Sequence, residues 1–208
     1  MKTEELINIL VRSEPKKPII ALGTLATFLV ALCGLLTKFW LGLRPELEAM
    51  TIPMSFCFKT VVLSSLVVLT LQALKSSSVP LGRFTLKHFA VFMALFLSAA
   101  LVYEWVTTPV AQIGSLFLLP NFKSCLVYVT LFGSFVSIAI FLLIKNAAPF
   151  HYERTAGFIG FSSAAISALG YSIHCPIDSP TFIVVAYGLP QLILYVASRL
   201  VFPRFLRW

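Results

Sequence analysis

The chain has 208 residues, of which 59% are hydrophobic and 12% charged, and a net charge of +8. A soluble domain must cover itself with polar groups, and this composition supplies too few of them. Together with a mean hydropathy of +0.94, it excludes an ordinary soluble enzyme and points to an integral membrane protein.

Residues 1–17 predict a short amphipathic arm. Thr3 is placed to cap a helix, and Glu4 and Glu5 complement its positive end. Leu6, Ile7, Ile9 and Leu10 form its apolar face, and Pro15 ends it before Lys16 and Lys17. Such a face lies on a membrane or docks into a protein groove.

A bilayer core about 30 Å thick is crossed by roughly 20 helical residues. Six runs reach that length, at about 18–37, 53–74, 88–108, 124–144, 154–174 and 181–201. The runs are continuously apolar, which favours helices over a barrel. The expected fold is therefore all-α, with residues 18–208 forming one six-transmembrane-helix bundle. The first span is expected to be retained, because Leu32 stands where a cleavable leader needs a small residue before Cys33.

Two charges fall inside the spans. Lys59 lies in the second and Glu104 in the third, both toward the same end. A charge in hydrocarbon costs roughly 2.5–3.5 kcal/mol, so Lys59 and Glu104 are expected to meet as an intramembrane pair, with snorkelling of Lys59 as the alternative. In the fifth span Gly160, Ala164 and Ala168 recur every fourth residue, a stripe along which a neighbour packs closely. The closing "RFLRW" reads as an interfacial anchor.

The sixteen basic residues are divided unevenly. Twelve fall on the side of the termini and three (Lys38, Arg44 and Lys123) on the other, with Lys59 inside a span. The positive-inside rule then places both termini in the cytoplasm. Basic character here reads as topology and lipid contact, with no direct nucleic-acid partner.

That topology turns the gap "GYSIHCPIDSPTF", 170–182, outward. All four cysteines, Cys33, Cys57, Cys125 and Cys175, lie toward the same outer, oxidising side. His174, Cys175 and Asp178 are residue types that ligate a soft metal, and Cys125 at the start of the fourth span is a second thiol. A reversible disulfide or a metal bridge through Cys125, Cys175 and His174 is one reading. The other is that Pro176 and Pro180 stop two helices, Asp178 or Ser179 caps the sixth, and Cys175 is filler. The sequence has no CxxC, which counts against a thioredoxin-like catalyst.

The order "LGLRPEL", "SCLVYVTL", "KNAAP", "GYSIHCPIDSPTF" and "RFLRW" resembles the NrsF-type anti-sigma factors over nearly the whole chain. The resemblance implies a multi-pass protein of the bacterial inner membrane with no enzymatic activity and no resident cofactor. It implies an extracytoplasmic-function sigma factor as partner, held inactive and released under oxidative or metal stress. The family's two outward-facing sensing cysteines map onto Cys125 and Cys175, with His174 and Asp178 beside them. Its short cytoplasmic sigma contact maps onto Leu6, Ile7, Ile9 and Leu10. One departure is Ile177, where the family often has an acidic residue directly after the "HCP".

Two other classes compete. A membrane thiol–disulfide oxidoreductase needs a vicinal cysteine pair, which is not seen. A small transporter needs a charged path across the bilayer, for which only Lys59 and Glu104 qualify.

Overall fold

The computed structural model describes residues 18–78, 87–118, 120–145 and 152–206. The sigma-contact residues Leu6, Ile7, Ile9 and Leu10 lie outside the described residues. Those described form helices joined by short turns: α1 (Pro18–Leu41), α2 (Pro45–Glu48), α3 (Met54–Ser78), α4 (Lys87–Thr107), α5 (Val110–Leu118), α6 (Pro120–Ile144), α7 (Tyr152–Tyr171), α8 (Pro180–Val201) and α9 (Pro203–Leu206). The all-α expectation holds.

Five of these helices are long and apolar enough to cross a membrane: α1, α3, α4, α6 and α8. The helix α7 corresponds to the expected fifth span, but it is less apolar and ends at Tyr171, short of 174. Its position explains the difference. It runs through the middle of the bundle, packed by α8, α6, α3 and α1, and most of its residues are buried. A helix surrounded by other helices has no need to be oily on every face, and two of its buried serines find protein acceptors, while the Ser162 hydroxyl is buried without a partner among the described residues. Ser167 donates to the Val129 carbonyl at 2.9 Å, and Ser163 turns back onto Gly160.

Small residues let the neighbours approach this central helix. A Cβ at Gly160 would collide with the Leu194 backbone carbonyl of α8, and one at Gly170 would lie 2.5 Å from the Cys33 Cβ of α1. Of the small-residue stripe read from the sequence, Gly160 is where α8 crosses, while Ala164 lies against Gly133 of α6. Around it, Tyr195 sets its ring edge-on to Phe158 and Phe161, and Phe141 stacks on Phe202 at 4.6 Å.

In contrast, α4 has no buried residue. It touches the bundle through Phe96, 5.5 Å from Phe58, and through Glu104 and Trp105 at one end. That end of the bundle also holds the α1–α3 link, α5 and the turn 172–179. The opposite end carries Thr155 on Ser77 and the exposed Glu153–Arg199 pair at 3.8 Å.

Candidate functional site

Among the described residues, the turn 172–179 is heavily tied for a segment outside the helices. Its anchors come from the α1–α3 link and the first turns of α3, more than a hundred residues away in sequence. Helix α1 stops at Gly42, whose φ of 83° is a left-handed cap that glycine adopts without a Cβ penalty, and whose N–H returns to the Lys38 carbonyl. The Gly42 carbonyl is thereby free to accept from His174 Nδ1 at 3.1 Å. Two residues on, the Arg44 N–H donates to the Ile173 carbonyl at 3.2 Å.

Asp178 is the centre of this end. Arg44 grips it with both terminal nitrogens, Nη1 to Oδ1 at 3.0 Å and Nη2 to Oδ2 at 3.1 Å. Lys59 Nζ lies 2.6 Å from Oδ1, and the Ser55 hydroxyl donates to Oδ2 at 2.9 Å. The Arg44, Lys59 and Asp178 side chains are only 2%, 0% and 7% exposed. Lys59 also donates to the Cys175 carbonyl at 2.7 Å and the Ile177 carbonyl at 3.2 Å. Arg44 completes its contacts with Glu46 at 3.1 Å and with the Phe56 ring, 5.0 Å from the guanidinium. Burial pushes the Asp178 carboxyl up. Hydrogen bonds from Arg44 and Lys59, the Lys59 charge and the Ser55 hydroxyl more than offset it, holding the group below the ordinary carboxylate range.

The expected Lys59–Glu104 pair is not what forms. Lys59 takes Asp178, and Glu104 accepts from the Thr181 N–H at 2.8 Å and its hydroxyl at 2.7 Å, while the Trp105 indole donates to the same hydroxyl. The reason lies in geometry invisible in one span at a time: the turn before α8 comes between them. Nor does Lys59 snorkel, since it is fully buried. Of the two candidate caps of α8, Ser179 is the one that accepts from the chain, from Phe182 N at 3.2 Å.

Cys125 and Cys175 come together in one buried cluster with Val129, Tyr171, Phe182, Ile183 and Tyr187. They are 0% and 1% exposed and unbridged, so they share the expected end of the bundle but do not face outward into solvent. Cys57 is the exposed cysteine, and Cys33 is buried against α7. The Tyr187 hydroxyl, in the same cluster, is buried without a hydrogen-bond partner among the described residues. Cys125 donates weakly to the Ala186 carbonyl of α8. His174 turns the other way, to Gly42 and the Tyr171 ring edge. Among the described residues no three of His, Cys, Asp and Glu converge, so Cys125, Cys175 and His174 do not make a three-ligand metal site.

Residues 10–208 match the sequence model of NrsF, described as negative regulator of sigma F. The chain belongs to the NrsF family. The match covers all the described helices and includes the turn 172–179. Neither the curated proteins nor the solved structures contain a match.

Arg44 and Tyr187 are what sequence reasoning missed. In the sequence Arg44 counts only as one of three basic residues on the poorer side. Its signal was its place in "LGLRPEL", an arginine between a glycine cap and a proline-led turn.

Proposed function

We propose that the chain is a membrane-embedded anti-sigma factor of the bacterial inner membrane. It holds an extracytoplasmic-function sigma factor at its cytoplasmic face and releases it when Cys125 and Cys175 are oxidised or capture a thiophilic metal ion. The match of residues 10–208 to a family of negative regulators of sigma F carries this reading. In it α7 is a sixth span, about 30 Å long at the helical rise, shielded from lipid by its neighbours. Both termini are cytoplasmic, as the charge distribution favours. The arm bearing Leu6, Ile7, Ile9 and Leu10 supplies the sigma contact.

The gathering of two thiols in one cluster supports a switch. Their oxidation to a disulfide gives two protons and two electrons to the external oxidant and draws α6 and the 172–179 turn into a new relation. Binding of sigma is then weaker in the modified form, since a signal shifts only an equilibrium whose two states it distinguishes. Because both sulfurs are buried, the signal acts on an opened form of the turn. No enzymatic step and no resident cofactor are involved.

The test is a sigma-regulon reporter in cells carrying Cys125→Ser or Cys175→Ser. Each variant is expected to keep the regulon repressed and to abolish its induction by oxidant or metal. A full stress response in both overturns the thiol switch.

A further inference from the structure

The Cys175 side chain is buried in the hydrophobic cluster, while the backbone that carries it is held by charges. The Cys175 carbonyl accepts the Lys59 ammonium at 2.7 Å, and the same ammonium reaches Asp178 three residues on and the Ile177 carbonyl between them. Lys59 stands on α3, one turn into the helix, and Arg44 on the link before it closes over Asp178 from the other side. The 173–178 segment is thus held through its carboxylate and through three of its own carbonyls, Ile173, Cys175 and Ile177.

A buried ammonium is tolerated only while its acceptors surround it, and removing one partner of such a set leaves an uncompensated charge. The arrangement therefore holds as a unit or opens as a unit.

We infer that Lys59 and Asp178 are positioning residues forming an electrostatic latch that sets the accessibility of the Cys175 thiol. The inference rests on the reading of Cys175 as a sensing thiol only for its biological use; the covering itself is a separate property. It assigns the reactive state to an open latch, with segment 173–178 lifted from α3.

The full-length chain in native membranes is treated with N-ethylmaleimide, and modification of each cysteine is followed by mass spectrometry. Exposed Cys57 is the internal standard. In the unaltered chain Cys175 and Cys125 both react far more slowly than Cys57. Lys59→Met keeps an unbranched side chain one atom shorter and without the charge, and it is expected to speed modification of Cys175 at least tenfold while Cys125, held on α6, stays slow. Asp178→Asn is expected to do the same, and Ser55→Ala, which removes one of the bonds to Asp178, to act in the same direction by a few fold. Lys59→Arg, which restores the charge, is expected to regain part of the protection. Unchanged Cys175 reactivity in Lys59→Met and Asp178→Asn overturns the latch. So does an equal rise at Cys125 and Cys175, the mark of general loosening. Exposure of Cys175 with sigma still bound and released normally leaves the latch standing and overturns instead its use in sensing.

Discussion

The Cys125 thiol donates to the Ala186 carbonyl across 3.7 Å. Ala186 stands four residues before Pro190, which lies inside α8 and brings no N–H to that carbonyl. A thiol on α6 thus occupies the place of a missing helical hydrogen bond in α8. The link joins one of the paired cysteines to the helix that begins at the latched turn and ends at the opposite face of the bundle.

This relationship predicts coupling between the two positions. Cys125→Ser keeps a donor in place and is expected to leave stability nearly unchanged. Cys125→Ala removes it and is expected to cost about 1–2 kcal/mol. In a Pro190→Ala background the new N–H serves Ala186, so the cost of Cys125→Ala shrinks. Denaturant titration of the four variants in detergent checks it; equal costs in both backgrounds contradict it.

The buried ion triad predicts an acid dependence. Because the Asp178 carboxyl is held below its ordinary value, its contribution is complete above the unfolded-state value of about 4. It is lost as pH falls through the lower folded value. The unfolding midpoint of the unaltered chain should therefore exceed that of Asp178→Asn at pH 7, and the gap should close as the pH is lowered below about 4. At neutral pH the substitution leaves Arg44 and Lys59 facing each other and is expected to cost about 3–5 kcal/mol. A gap that persists unchanged at low pH counts against the assignment.

How much of this was readable beforehand differs from element to element. The spans at α1, α3, α4, α6 and α8 stood out because lipid demands long apolar runs. The close crossing at Gly160 was also marked, by small residues at fourfold spacing. The burial of Cys125 was not. In a helix that is oily on every side no periodicity shows which face turns inward, so depth was legible and direction was not. The partner of Lys59 was hidden for a related reason. Asp178 is 119 residues away, and only the folding back of the 172–179 turn onto α3 brings it there. Arg44 looked like a topology signal because a charge in a link is ordinarily solvated, whereas this one is enclosed by Asp178, Glu46 and Phe56.

Close helix packing yields a third prediction. Gly160→Ala drives a methyl group into the Leu194 carbonyl, a backbone atom of α8 that has no rotamer to change. Overpacking of this kind is expected to cost at least about 1–3 kcal/mol. Gly23→Ala on α1 meets nothing within 4 Å and should be neutral. Thermal melting of the two purified variants compares them; equal behaviour argues against the α7–α8 crossing.

The Thr107 end of α4 provides a fourth. With no buried residue of its own, α4 is held there by Glu104 and Trp105 on Thr181. Glu104→Ala removes two acceptor bonds and is expected to weaken the start of α8 by about 1–2 kcal/mol. Hydrogen exchange should rise in residues 104–108 and 180–183 and stay unchanged around Gly160. Exchange that is unaltered at both ends of the contact argues that Glu104 does not anchor α4.

The central claim is that this membrane bundle captures a sigma factor. The most direct measurement is co-purification of the full-length chain from solubilised membranes with an extracytoplasmic-function sigma factor of the same cell. The account predicts that the sigma factor is retained by the unaltered chain and lost from Leu6→Asp and Ile9→Asp variants that still reach the membrane. A sigma factor that never accompanies the unaltered chain, or that accompanies both variants undiminished, contradicts it.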